Sequence, residues 1–410
     1  MNALPRNGRR GLPGRCAVLA ALAGLALASR SVAADGPQPP VLTYELRNTA
    51  DVWRNLSGGE AVGYTSLDKL QIGATLDGEP LGAPGFKAHA FVFKTNGETL
   101  SRSRTGDLQT ASNIEALSVT RLFSVWVEQR FGPEGPGGVT ARLGLMDLND
   151  TFDSIGTAGL FLNSSHGIGP DLSRSGVNGP SIFPVSSAGL QLTWSPKTEL
   201  TLRAAALDGV AGDPAHPKAF SAVRLRARDG ALLIAQADYA YRADAQASLG
   251  VWTYTRLPGI SAPRPGIYGF IDGPAPFGPK SRAWIRAGVA DGRAQPVSAY
   301  LGGGVVWSGL LPGRGGDQLG LAVARASISA PVRRDLGLPR AETTWEATYS
   351  IKLGDALRLQ PDIQYIQNPS GAATLADAFA VGLRVVVDFK GSLGRSPNAA
   401  PSGAGRSTSR

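Results

Sequence analysis

The chain has 410 residues, 53 of them glycine and 29 proline, with one cysteine, 18% charged residues and a mean hydropathy of -0.05. That hydropathy, with no long apolar block after the N-terminus, excludes a bundle of membrane helices. It leaves open a barrel, whose strands hide lipid-facing residues in alternation. The formal charge of +9 would suit an anionic partner such as nucleic acid, but the excess sits at the ends. Setting aside five arginines in the first 34 residues and four cations in the last 21 leaves 32 basic against 32 acidic residues, so nucleic acid is not an expected partner.

Residues 1–34 read as an export signal. Arg6, Arg9, Arg10 and Arg15 precede an apolar run from Cys16 to Ala28, and Val32-Ala33-Ala34 offers a small-residue cleavage site before Asp35. Arg9-Arg10 lacks the apolar pattern that follows a twin-arginine pair, and Cys16 lies before the apolar run, not at its cleavage end, so no lipid anchor is expected. The mature chain then begins near Asp35 and carries no cysteine, which removes disulfides and thiol chemistry together.

Between Asp35 and Phe389 the dominant signal is period-two alternation, which places one set of side chains on each face of a strand. In Arg121 to Phe131 it sets Ser124, Trp126, Glu128 and Arg130 against Phe123, Val125, Val127 and Gln129. Val139 to Leu145 follows across the short Gly132 to Gly138 link, with Arg142 on its polar face. After a long Gly-rich stretch from Asp150 to Ala188 come Leu190 to Trp194, a short link at Pro196-Lys197-Thr198, Leu200 to Ala206, Ala283 to Val289 and Leu319 to Val323. The last segments are the clearest. Trp345, Ala347, Tyr349, Ile351 and Leu353 alternate with polar residues, as do Leu357, Leu359, Pro361, Ile363 and Tyr365. Finally Phe379, Val381, Leu383, Val385, Val387 and Phe389 share one face, with Arg384 on the other, in water.

About sixteen strands fit, an even number within the bacterial range, with short links on one side and long loops on the other. A soluble sandwich or propeller would also alternate. The export signal, the terminal Phe389 and aromatic residues near many strand ends favour a transmembrane barrel. Those aromatics are Trp126, Trp194, Tyr239, Tyr241, Trp252, Tyr254, Trp307, Trp345, Tyr349 and Tyr365. The expected fold is all-β, a transmembrane antiparallel β-barrel over 35–389, followed by a basic Gly/Ser/Pro-rich tail over 390–410 that reads as disordered.

Several separated segments resemble the carbohydrate-selective (OprB-like) porin family in that family's order. They are Ser112-Asn-Ile-Glu115, Trp126-Val-Glu-Gln129, Gly144-Leu-Met-Asp-Leu-Asn-Asp-Thr-Phe-Asp153, Gly159-Leu-Phe-Leu-Asn-Ser-Ser-His-Gly-Ile-Gly-Pro170, Asn178-Gly-Pro-Ser-Ile-Phe-Pro184, Gly309-Leu-Leu-Pro-Gly-Arg314 and Gln360-Pro-Asp-Ile-Gln-Tyr-Ile-Gln-Asn-Pro369. The resemblance runs from about Tyr44 to Phe389. It implies a sixteen-stranded barrel with a long inward-folding loop, and passive diffusion of sugars across a Gram-negative outer membrane. The family tends to end at its terminal aromatic residue, and the tail after Phe389 departs from that pattern.

A sugar needs polar donors and acceptors for its hydroxyls and an aromatic face for its apolar side. Glu128, Arg130 and Arg142 are the candidate lumen-lining charges and Trp126 the candidate stacking surface. The competing reading makes Trp126 an interface anchor and the charges a solvated wall. If the long loop folds inward, as the resemblance implies, Asn163, His166, Asp171, Arg174 and Asn178 contact solute. Asp147, Asn149, Asp150 and Asp153 read as caps for the loop's own backbone, and their spacing does not match a calcium loop. Only His89, His166 and His216 are available as bases, and no nucleophile elbow, zinc motif or phosphate loop accompanies them. The expectations are therefore a channel and not an enzyme, with no cofactor and no metal. Its partners would be mono- or oligosaccharides, outer-membrane lipid and the barrel assembly machinery, as a monomer or homotrimer. A general or anion-preferring porin is the alternative, and an outer-membrane hydrolase a remote one.

Overall fold

The computed structural model describes residues 40–394, except 98, 222, 261, 262, 338 and 339. The export signal expected over 1–34 lies outside the described residues, as does the tail expected over 390–410 beyond residue 394. Sixteen strands follow one another: β1 (Leu42–Ser57), β2 (Gly63–Asp77), β3 (Phe86–Gly97), β4 (Val119–Phe131), β5 (Val139–Met146), β6 (Ser187–Lys197), β7 (Leu200–Asp208), β8 (Ala231–Arg242), β9 (Ala245–Tyr254), β10 (Gly266–Pro274), β11 (Ser281–Val289), β12 (Val297–Ser308), β13 (Gln318–Ile328), β14 (Ala341–Lys352), β15 (Leu357–Gln367) and β16 (Ala378–Leu393). Each pairs antiparallel with its neighbours in sequence, and β1 pairs β16, so the sheet closes into a barrel with no free edge. Closure leaves no row of unpaired backbone groups facing lipid, the condition for a sheet to span a bilayer.

The alternation read from the sequence sorts side chains to the two faces. On β16 Leu383 is 45% exposed and Arg384 6% exposed. On β14 Trp345 points outward while Thr344, Glu346, Thr348 and Ser350 are buried, and on β15 Ile363 and Tyr365 point outward while Asp362 and Gln364 are buried. The outer face is apolar and the inner face polar, the reverse of a soluble protein and the arrangement of a membrane barrel. Arg384 does not sit in open water as expected. Its guanidinium donates to both oxygens of Asp51 on β1, at 2.7 and 2.8 Å.

Two boundaries, the phase of one strand and the facing of some aromatics differ from the sequence reading. The last strand runs past Phe389 to Leu393, because β1 starts at Leu42 and supplies backbone partners for the extra residues. The link expected at Pro196-Lys197-Thr198 is only 198–199. Pro196 lies within β6 at a register irregularity, where its missing N–H breaks no ladder bond. On β4 a bulge opposite Phe91 and Val92 adds one residue and switches the phase of the strand. Phe123, expected on the outer face, is therefore turned inward to pack on Phe93 and Phe183. Among the aromatics read as interface anchors, Trp194, Tyr239, Tyr241, Trp345 and Tyr365 are exposed outside, whereas Trp252 and Tyr254 are buried inside.

The three longest connections, 98–118, 147–186 and 209–230, all leave the end of the barrel opposite the two chain ends. The connections at the other end are short. Replacing Leu383 with arginine puts a charge on the lipid face and should cost roughly 2 to 4 kcal/mol near mid-membrane. Semi-native electrophoresis of heated and unheated samples should then show little assembled, heat-modifiable barrel for Leu383→Arg, and a normal amount for Leu383→Met. Full assembly of the arginine variant would show that this face does not meet lipid.

Candidate functional site

The connection over 147–186 has no strand partner for most of its length, and so its backbone groups need other ones. It first folds on itself. Asp147 accepts from the Asn149 N–H at 2.9 Å, and the Asn149 amide donates to the carbonyls of Phe152, Asp153 and Gly167 at 3.0 to 3.2 Å. Short helical turns at Ser164–Gly167 and Pro170–Ser173 follow. Phe152, Ile155, Ala158, Phe161, Ile168 and Leu172 then form one apolar cluster with wall residues of β8 to β13, among them Ile234, Trp252, Tyr268, Phe270 and Trp284. Gly320 on β13 belongs to the same fit, since a Cβ there would stand 2.8 Å from Leu160 Cδ2 and from Phe161 Cε1.

Inward-facing polar side chains of the wall complete the attachment. Gln236 on β8 accepts from the Asp153 N–H at 2.9 Å, Asp272 on β10 from the Thr157 N–H at 3.1 Å, and Glu346 on β14 from the N–H groups of Leu162 and Asn163. Gln360 on β15 donates to the Leu160 carbonyl at 2.7 Å. On β11, Arg286 is fully buried. It donates to both carboxylate oxygens of Asp153 at 3.0 and 2.7 Å, and to both of Asp171. Burial pushes the Asp153 carboxyl up, and the adjacent Arg286 opposes that shift. Gly288 leaves room for the cluster, because a Cβ there would fall on the Asp171 carboxylate.

The 98–118 connection is held in the same way. Glu342 on β14 accepts from the N–H groups of Leu108 and Gln109 at 2.6 and 2.9 Å. Ser112 donates to Asp51 at 2.7 Å, and Asn113 accepts from Arg384 at 2.9 Å. Between these two connections and the wall of β1, β2 and β13 to β16 lies a cavity of about 1330 Å³. Its lining is rich in carboxamides, with Gln71, Asn113, Asn149, Gln318 and Gln360 among them, and also includes Arg47, Lys69, Arg174 and Arg358. Arg47 pairs with Asp388 at 2.6 Å. Lys69 stands 4.4 Å over the Phe183 ring, Arg174 donates to Thr110 Oγ1 and the Leu108 carbonyl, and Arg358 donates to Ser350 at 3.2 Å. No carboxylate lies within ion-pair distance of these last three among the described residues. Of the acids in the lining, burial pushes Asp147 well up and Glu115 up to about 7.

The eight candidate residues divide into three groups. Arg174 borders the cavity. Asn163, His166 and Asp171 do not, because all three are buried parts of the attachment. Asn163 caps the first helical turn and donates to Gln364 at 3.3 Å, and Asp171 holds Arg286. His166 sits between the rings of Phe161 and Trp284, 3.4 Å from Glu346, with burial pulling its pKa down to about 3, so it is neutral at pH 7. Asp153, read as a cap for the loop's own backbone, does accept from the Gly169 N–H at 3.2 Å and is in addition an anchor to β11.

Trp126, Glu128, Arg130 and Arg142 form a separate, half-buried row on the inner face of β4 and β5. Arg142 pairs with Glu128 at 2.8 Å, and its guanidinium carbon lies 4.0 Å over the Trp126 ring. The His89 ring, from β3 on the other side, stacks on Trp126 at 5.0 Å and 18°. Flanked from both neighbouring strands, Trp126 is no open platform for a sugar and instead supports Arg142. Arg130 turns toward the short-turn end and pairs with Glu79 at 2.8 Å. The sequence reading missed Arg286, Glu342, Glu346, Asp272 and Asp51. Their one visible signal is a charge at an inward position of an alternating strand.

Replacing both Asp153 and Asp171 with asparagine leaves Arg286 buried without a counter-charge, a loss of about 3 to 5 kcal/mol for such sites. Limited proteolysis of the folded barrel should then cut within 147–186 much faster than in the wild type. Equal protection would show that this cluster does not hold the connection.

The carbohydrate-selective porin, OprB family model matches residues 61–261 and 279–389. No curated protein matches the chain. Among solved structures, the high-pH form of Pseudomonas putida OprB superposes with a TM-score of 0.75 at 18% identity, covering 85% of this chain and 94% of that one. Its low-pH form gives 0.55 at 17% identity, covering 85% and 92%. A triple mutant of Rhodopseudomonas blastica porin gives 0.51 at 11% identity, covering 85% and 100%. These likenesses support the porin barrel, and the family model covers most of the sequence. The chain belongs to the carbohydrate-selective porin, OprB family.

Proposed function

We propose that the protein is an outer-membrane porin through which sugars diffuse passively, and that the connections over 98–118 and 147–186 narrow its lumen. The observation that carries this reading, beside the family, is the cavity between those connections and the wall. Carboxamides donate and accept at once, which suits the hydroxyls of a sugar, and several of them in one passage replace the solute's water in steps. Binding in such a passage has to be weak enough for the solute to leave. In this reading residues 1–34 direct export and are removed near Asp35, the assembly machinery inserts the barrel, and the apolar outer face meets lipid.

Within the lumen, Arg142 is the charge best prepared to meet a solute. Glu128 and Trp126 fix its guanidinium, so little side-chain entropy is lost when it donates to a hydroxyl. A second reading, an anion-preferring pore of the same fold, is favoured by Lys69, Arg174 and Arg358, the cavity cations without carboxylate partners. In planar bilayers, Arg142→Ala should weaken the block of open-channel current by a neutral saccharide several-fold and change small-ion conductance modestly. Unaffected sugar block together with a lost anion preference would support the anion channel instead.

A further inference from the structure

At the end of the barrel opposite the chain ends, the connections 209–230, 255–265, 290–296 and 329–340 follow one another around the rim. They carry ten lysines and arginines against four aspartates and no glutamate. Three of those acids are already engaged. Asp213 accepts from Arg224 at 3.2 Å, Asp229 accepts from Arg224 at 2.9 Å, and Asp291 pairs with Arg293 at 2.6 Å. Besides the inward connection, the rest of that rim is formed by 58–62, 98–118 and 368–377, where the balance is reversed, with five acids against two arginines. The cations are gathered on one half of the mouth.

That half meets the lumen at the inward connection. A cavity of about 360 Å³ is bordered by Val177 of 147–186, Arg228 and Asp229 of 209–230, and Arg256 of 255–265. Gly230 lets the last two connections approach, because a Cβ there would stand 2.8 Å from Thr255 Oγ1 and 2.9 Å from Arg256 Cβ. Arg228 has only a 3.9 Å contact with Asp229, and Arg256 has no carboxylate within ion-pair distance among the described residues. Val177 also borders the cavity of about 1330 Å³ inside the barrel, so the two spaces share a wall. In the larger one Lys69, Arg174 and Arg358 continue the positive lining. The acids around them are occupied, Asp388 by Arg47 at 2.6 Å, Asp355 by Lys352 at 3.0 Å, Glu115 by the Ser101 N–H at 3.0 Å and Asp147 by the Asn149 N–H at 2.9 Å. Gln71, Asn113, Gln318 and Gln360 border the same space.

We propose that the solute this channel selects is an acidic saccharide, a sugar carrying one carboxylate, gathered by the basic half of the mouth and met inside by Lys69, Arg174 and Arg358 while the carboxamides take its hydroxyls. A rim of one sign raises the local concentration of an oppositely charged solute and speeds its entry. Cations without carboxylate partners then gain charge-assisted hydrogen bonds that a neutral sugar does not offer. A single charge keeps the solute's residence short enough for release. A small anion without hydroxyls would use the cations and leave the carboxamides idle. The proposal rests on the sugar-porin reading and names the class of sugar.

The experiment is block of open-channel current in planar bilayers, with glucuronate, its neutral methyl ester, glucose and acetate added in turn on the side of the long connections, at low and high potassium chloride. At low salt glucuronate should block the wild type at a concentration about tenfold below that needed for glucose or the methyl ester, and the advantage should shrink as salt rises. Acetate should block far less than glucuronate. In the Arg228→Gln, Arg256→Gln variant the onset of glucuronate block should slow several-fold at low salt, and in Lys69→Gln, Arg358→Gln its residence should shorten relative to that of glucose. The methyl ester comparison needs only the wild type, so it decides the matter even where a variant fails to fold. Equal block by glucuronate, its methyl ester and glucose would overturn the proposal and leave the sugar porin standing, as would wild-type onset and residence in both folded variants. Acetate and glucuronate acting alike, whether strongly or not at all, would overturn the proposal and the sugar-porin reading together.

Discussion

A chain segment inside a barrel has neither water on all sides nor a ladder to join, and each buried N–H left unpaired costs about 1 to 3 kcal/mol. The inner wall of this protein answers with side-chain acceptors placed where the two connections pass. Glu342 takes two N–H groups of the first connection, Glu346 takes two of the second, and Gln236 and Asp272 take one each. A carboxyl group has several lone pairs, so one acid can accept from two N–H groups at once. Attachment of the connections and tolerance of buried acids on the wall are one arrangement seen from two sides.

The direction of that attachment shapes the lumen. Aromatic and aliphatic residues on the inner faces of β8 to β11 draw the 147–186 connection to that side, where Arg286 fixes it through two carboxylates. The open space is left toward β1, β2 and β13 to β16, and its lining is polar. The barrel thus divides its interior into a packed half that resembles a protein core and a wet half that accommodates solute. Arg142 faces the lumen from the wall of β4 and β5, beside that space, where Glu128 and Trp126 hold it rigid.

The strands were legible because lipid on one side and water on the other impose a period of two, and the contrast is strongest in β14 to β16. The phase of β4 was not. A bulge depends on the partner strand, and nothing in Leu122-Phe123-Ser124 announces one. Candidate residues in the long connection were chosen as polar groups in a Gly-rich stretch. Asn163, His166 and Asp171 belong instead to its attachment, because polar groups in a buried loop are used to satisfy the loop. Their partners, Gln364, Glu346 and Arg286, lie more than a hundred residues away and come near only when the sheet closes. Trp126 is read from the sequence either as an inward stacking surface or as an interface anchor; it faces inward, but the ring and the cation flanking it come from β3 and β5, which a single strand's pattern does not reveal.

Buried charges hold a connection across the lumen, and in the proposed reading this connection sets the width of the passage. Single-channel conductance of the wild type and of the Asp153→Asn, Asp171→Asn variant in symmetric potassium chloride tests it most directly. A larger and noisier unit conductance is expected in the variant, as the released connection vacates part of the lumen. A variant whose connection is demonstrably released, yet whose conductance and noise equal those of the wild type, would contradict it.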